Sequence, residues 1–303
     1  MTTSEPPATT KALFGPMRPP FLVLTPACVL LGIGVAYYQS GRVDLLQAVI
    51  VLIGAIGAHI SVNALNEYFD FRSGLDLRTQ RTPFSGGSGT LAAQPAMAPK
   101  ALATGIVALA ITAAVGLYFT LVRGAALLPL GLAGMLIIVV YTVWLTRYPL
   151  FCLIVPGLGF GTFMVMGTAF ALSGEYSWSA FVASLVPFFL VSNLLLLNQF
   201  PDVEADRSIG RRHYPIVVGR RSSSWIYIAF LILTYVSIIS GLLAGLLPAW
   251  SLLGLLTAPL AFSAGIGAHR HADDIPHLIP FMVQNVLLNI VTPVLVAIGL
   301  FLS

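Results

Sequence analysis

Six of the eleven acidic residues in this 303-residue chain fall in two short stretches, "NALNEYFDFRSGLD" (63–76) and "NQFPDVEADRSIGRR" (198–212). In the first, Asn63, Asn66 and Asp70 are spaced i, i+3, i+7. In the second, Asn198, Asp202 and Asp206 are spaced i, i+4, i+8. Either spacing puts amide and carboxylate on one face of a helix, and Pro201 predicts a kink that keeps the register. Carboxylates crowded together repel and are costly to desolvate, so a cation belongs among them. Hard carboxylate and amide oxygens suit Mg²⁺, which keeps several waters and is commonly shared with substrate phosphates. The alternative is direct neutralisation by the neighbouring Arg72, Arg78, Arg81, Arg207, Arg211 and Arg212. Taken singly, each Asp reads as a helix cap or a surface ion pair. The repeated Asn-x-x-x-Asp, in a chain with seven aspartates, points to a metal–diphosphate site.

The elements that carry these stretches are apolar. Hydrophobic residues make up 57% of the chain and charged residues 9%, against roughly 25% charged in soluble domains. The composition predicts an all-α, polytopic membrane protein. Nine runs approach the roughly 20 residues a spanning helix needs: about 21–38, 45–65, 101–121, 125–146, 151–172, 178–199, 224–246, 249–267 and 278–301. Pro149 and Pro156 interrupt the boundary near 149–156. With the N-terminus cytoplasmic, thirteen of the fifteen Lys and Arg residues fall inside, and only Arg42 and Arg123 outside, as the positive-inside rule demands. Both acidic stretches then face the cytoplasm of a cell-membrane protein. The +4 net charge describes a basic cytoplasmic face that attracts anionic lipid or a phosphorylated substrate, and no nucleic-acid binder. No obligate protein partner is indicated.

Residues 1–20 are predicted as a flexible cytoplasmic tail before a single membrane domain, 21–303. Two loops are long, 66–100 and 200–223. The first contains "RTPFSGGSGTLAAQP", whose Gly86, Gly87 and Gly89 offer free backbone N–H groups but lack the Lys-Ser/Thr ending of a P-loop. Cys28 and Cys152 lie in predicted spans without a metal-ligand partner and read as small apolar fillers.

On this nine-span background the two stretches resemble the UbiA superfamily of intramembrane prenyltransferases, whose members carry Asp-rich motifs after the second and sixth spans. The resemblance implies a helical bundle with a central cavity, open to lipid and capped by the cytoplasmic loops. It implies that Asp70, Asp76, Asp202 and Asp206 are catalytic, with Asn66, Asp70 and Asp76 holding one Mg²⁺ and Asn198, Asp202 and Asp206 a second. Asn63, Asn66, Asn198, Arg72, Arg81, Arg147, Arg211 and Arg212 are the expected substrate-binding residues. Gly74 stands where an acid four after Asp70 occurs in members using 4-hydroxybenzoate. The form "NEYFDFRSGLD" is similar instead to the branch that prenylates 1,4-dihydroxy-2-naphthoate. Two positions depart from that branch: His213, where Thr is common, and Phe160, where an acid is expected. The expected partners are a polyprenyl diphosphate, an aromatic acceptor and the bilayer.

Tyr68, Phe69, Tyr141 and Trp144 are candidate walls for an allylic cation. Asn285 and Asn289, i, i+4 on the last predicted span, read as interhelical hydrogen-bonding residues, with a pocket-lining role as the alternative, and His59 is a candidate to contact the acceptor. The rival classes are a cation-coupled transporter and a CDP-alcohol phosphotransferase. The first places its acids near the midplane, and the second expects one run of closely spaced Asp and Gly.

Overall fold

The computed structural model describes residues 14–303, and no strand occurs among them. The expected tail is described only from residue 14, so its first thirteen positions lie outside the described residues. Positions 15–18 are held against the bundle: Pro16 is buried, and Asn63 Nδ2 donates to the Met17 carbonyl at 3.0 Å.

Ten α-helices of nine residues or more follow: α1 (Leu24–Ser40), α2 (Leu45–Arg72), α3 (Ala98–Arg123), α4 (Leu128–Val140), α5 (Pro149–Gly157), α6 (Met164–Ser173), α7 (Trp178–Ser208), α8 (Arg220–Leu243), α9 (Ala258–Arg270) and α10 (Ile275–Phe301). A wider π turn, Leu158–Phe163, joins α5 to α6 into one rod. A 3₁₀ segment, Ala249–Thr257, leads into α9 in the same way.

Seven of these rods are long and apolar enough to cross a membrane. An eighth results if Gly15–Phe21 is joined to α1 across a 56° bend. The remaining expected span, 125–146, is a shorter apolar helix, Ala125–Val140. Its 16 residues rise about 24 Å, short of a hydrocarbon core of roughly 30 Å. The chain leaves the helix at Tyr141, so the count of nine is not reproduced.

Two helices overshoot instead. α2 has 28 residues and α7 has 31, about 42 and 46 Å at 1.5 Å per residue. Each begins at a side-chain cap: Asp44 accepts from Gln47 N at 3.1 Å, and Ser177 from Ala180 N at 3.0 Å. After roughly 20 residues each helix has used up the hydrocarbon thickness. The remaining turns carry Asn66 to Asp70 on α2 and Asn198 to Asp206 on α7, beyond the apolar slab.

α7 forms the core. Leu190, Leu196, Leu197 and Phe200 are fully buried against α1, α8 and α10. The α5–α6 rod approaches α7 closely because Gly157 and Gly161 lack side chains. A Cβ at these positions would lie 2.2 Å from Phe188 O and 2.4 Å from Phe188 N. Within the bundle Asn193 Nδ2 donates to the Tyr227 carbonyl at 2.8 Å, and Tyr227 Oη to Asn285 Oδ1 at 3.2 Å. Such bonds hold apolar helices together where no hydrophobic force separates helix from lipid.

Candidate active site

One cavity of about 420 Å³ collects the polar ends of α2 and α7. Asn63, Asn66, Asp70 and Asp76 line it from the first stretch; Asn198, Asp202, Asp206 and Arg211 line it from the second. Most of the remaining wall is apolar and includes Phe84, Phe119, Phe160, Phe163 and Met164. The shape is a charged mouth on an oily shaft.

A single guanidinium joins the two stretches. Arg211 donates through Nη1 to Asp206 Oδ1 at 2.9 Å and through Nη2 to Asp70 Oδ1. His213 Nε2 pairs with the other Asp206 oxygen at 3.0 Å, with the imidazole buried. Burial alone would lower the Arg211 pKa, but Asp70 and Asp206 more than offset it and raise it. Buried carboxylates without such compensation are strongly destabilising.

Four oxygens of cavity-lining residues are left over: Asn289 Oδ1, and three that belong to the two acidic stretches. Asp76 Oδ2, Asn198 Oδ1 and Asp202 Oδ1 are buried, have no protein hydrogen-bond partner, and belong to residues lining this cavity. Natural structures rarely leave such atoms unpaired, so each calls for a ligand. Burial, then the carboxylates of Glu67 and Asp70, push the Asp76 pKa up to about 7. A hard divalent cation suits that donor set.

The two three-residue sets expected to hold separate metals are not assembled as such. Asp70 and Asp206 are engaged by Arg211, and Asn66 Oδ1 accepts from Arg18 Nη2 at 3.3 Å. Among the described residues no three His, Cys, Asp or Glu side chains converge into a preformed cage. Mg²⁺ ordinarily takes one or two carboxylates plus waters and substrate phosphates, and a mouth of this kind provides that.

Four expected substrate-binding arginines lie elsewhere. Arg72, Arg81, Arg147 and Arg212 are exposed and do not line the cavity. Arg72 sits on the last turn of α2 past the ligand-bearing face, and Arg81 stays on the loop surface. Arg18 lines the mouth instead. It counted only as an inside charge in the sequence, because its partners Asn66 and Glu67 lie 48 and 49 positions away.

Of the four aromatic candidates only Tyr141 reaches the cavity. Tyr68 packs against Leu91 and Met97, Phe69 edge-on against Tyr68, and Trp144 is exposed. His59 and Asn289 line the cavity, and Asn285 is buried in its interhelical network. Phe160, where an acid was expected, packs edge-on against His59 at 4.6 Å and keeps that wall apolar.

A model of the UbiA prenyltransferase family matches residues 25–301. The 1,4-dihydroxy-2-naphthoate octaprenyltransferase of Bacillus subtilis (strain 168) is 27% identical over 290 residues, covering 94% of this chain and 91% of that protein. The enzyme of the same name from Escherichia coli (strain K12) is 26% identical over 305 residues, covering 97% and 96%. Among solved structures, a UbiA homolog from Aeropyrum pernix K1 superposes with a TM-score of 0.71 at 19% identity, over 93% of this chain and 97% of that one. A UbiA homolog from Archaeoglobus fulgidus bound to GPP and Mg²⁺ gives 0.63 at 15% identity, over 96% and 100%.

Proposed function

This chain belongs to the UbiA prenyltransferase family, a multi-pass membrane enzyme, and on that premise we propose that it transfers a polyprenyl group from its diphosphate to 1,4-dihydroxy-2-naphthoate. The observation that carries the reading is the set of three buried, unpartnered oxygens of Asp76, Asn198 and Asp202 at the mouth of an apolar cavity. The acceptor rests on the names of the Bacillus subtilis and Escherichia coli relatives. Family membership sets the transporter and phosphotransferase readings aside.

Asp76, Asn198 and Asp202, joined by Asn66, Asp70 and Asp206 as Arg211 turns toward substrate, would hold Mg²⁺. Bound there, the metal would neutralise the diphosphate as a Lewis acid and make it a better leaving group. Arg211 and Arg18 offer forked donors to the phosphate oxygens that remain. The oily shaft takes the isoprenoid tail and excludes water, so the allylic carbon meets an electron-rich ring before it meets a hydroxide. The C–O bond to diphosphate breaks and a ring carbon forms the new C–C bond. For the naphthoate, the carboxylate leaves as CO₂, and the electron pair of the broken C–C bond stays on the ring and restores its aromatic state.

The proposed orientation places the mouth, and the N-terminus, on the cytoplasmic side of the cell membrane. The shaft opens laterally to lipid.

The test uses membranes carrying the protein with Mg²⁺ and labelled polyprenyl diphosphate, offered either the naphthoate or 4-hydroxybenzoate. The expected result is a lipid-soluble product with the naphthoate alone, abolished by EDTA and by Asp202→Asn. Product with the benzoate alone would replace the acceptor. No product with either, beside an active control, would overturn the reading.

A further inference from the structure

The first stretch contains an acid that this chemistry does not use. Glu67 stands between Asn66 and Asp70, yet its side chain is fully buried and does not line the cavity. Protein donors from two distant segments occupy both of its oxygens. Oε1 accepts from Arg18 Nε at 2.8 Å and from the Ser88 backbone N–H at 2.6 Å. Oε2 accepts from Ser88 Oγ at 2.9 Å.

Both segments are shaped for this meeting. Arg18 is the one non-glycine residue with positive φ (51°) among the described residues. A strained backbone of that kind persists where the surroundings over-determine it, and such places cluster at functional sites. The conformation turns the guanidinium toward Glu67 and brings Nη2 within 3.3 Å of Asn66 Oδ1, at the cavity wall. On the other side Gly87 has φ 72°, and a Cβ there would lie 3.1 Å from Glu67 Oε1 and 3.3 Å from Asp76 Oδ1. Glycine alone lets that backbone come so close to two carboxylates. The segments also touch one another, since a Cβ on Gly15 would strike Thr90 Oγ1.

We propose that Glu67 is a positioning residue rather than a metal ligand: one buried carboxylate latches the N-terminal segment and the glycine loop together over the mouth of the cavity. It thereby presents Arg18 and the Gly86–Gly87 backbone to the diphosphate. The latch rests on the diphosphate reading of the mouth for its purpose, but its geometry can be tested separately.

Glu67→Gln keeps the shape and removes the charge. Arg18→Gln removes the same pair from the partly exposed side and guards against a folding failure of the first variant. Asp273→Asn, at an exposed acid, serves as control. Hydrogen–deuterium exchange on the metal-free protein should show residues 14–21 and 85–90 loosening together in both variants and in neither case for the control. KM for geranyl diphosphate should rise about tenfold or more, as for loss of other supporting contacts, while the acceptor KM and the Mg²⁺ concentration that half-stabilises the diphosphate-free protein in thermal melts stay in place. Unchanged exchange, or loosening of one segment alone, overturns the latch. Loosening with an unchanged KM reduces Glu67 to a structural tie and also overturns the assignment. A Mg²⁺ shift as large as that of Asp202→Asn makes Glu67 a ligand and does the same. Failure of the wild type to bind geranyl diphosphate at all overturns the proposed function itself, and the assignment falls with it whatever the exchange shows.

Discussion

Asp202 and Asp206 are four residues apart on one helix, and removing their charges should do different things. Asp206 neutralises Arg211 and hydrogen-bonds the His213 imidazole. Asp206→Asn should therefore cost stability on the order of 3 kcal/mol by stranding a buried cation. Asp202 has a buried oxygen with no protein partner. Asp202→Asn should leave the melting temperature in detergent almost unchanged and reduce prenyl transfer more than about 100-fold, beyond the range for a supporting contact. Asp76 adds a pH dependence. Its pKa is about 7 in the folded chain against an ordinary 3.8, so the folded state holds the proton more tightly than the unfolded state. The metal-free protein should lose stability as pH rises from about 4 to 7. A divalent cation competes with that proton, so stabilisation by Mg²⁺ should be larger at pH 8 than at pH 6, and Asp76→Asn should flatten the difference in thermal melts. The sequence makes all these acids look alike, because spacing shows which face a carboxylate shares but not which cation reaches it. Arg18 and Arg211 were separated from Arg72 and Arg212 only by distances across the fold.

At the level of the helices, overshoot positions the chemistry. α2 and α7 are the two longest, and each spends its surplus turns on the acidic stretch. That much is legible in the sequence, where Asn and Asp begin as the apolar run ends. The shortness of Ala125–Val140 was not, because 125–146 is apolar throughout and only the break at Tyr141 ends the helix. Nor was the π turn at 158–163: Pro156 signals an interruption but not that the rod carries on past it. The rod depends on bare glycine against Phe188. Gly157→Ala would set a methyl 2.2 Å from the Phe188 carbonyl oxygen, and backbone cannot yield as a flexible side chain does. The expected cost is about 1–3 kcal/mol, read as a lower melting temperature with normal Mg²⁺ dependence in the protein that survives. Gly159, which has open space around it, should tolerate the same change.

Across the whole molecule the ends of the helices sort by charge. The mouth lies with Arg18, Arg78, Arg81, Arg211 and Arg212. Arg123, at the opposite end, donates to the Ala171 and Leu172 carbonyls that close α6, both at 2.9 Å. That cation is held by a helix terminus, which accounts for one of the two exceptions to the inside count. Cys28 and Cys152 are buried, so single introduced cysteines can report sidedness. Gln80→Cys should react with an impermeant maleimide only in inverted vesicles, and Arg42→Cys only in intact cells; the reverse pattern would turn the protein over. The shared guanidinium of Arg211 carries a further consequence. Since one side chain balances an acid from each half of the bundle, admitting a metal means releasing Arg211, and the natural place for the freed charge is the incoming diphosphate. Metal and diphosphate affinities then become one linked quantity, each raised by the other in equal proportion. The enzyme should saturate with the magnesium–diphosphate complex as though it were a single ligand, and hold little magnesium in reserve between turnovers.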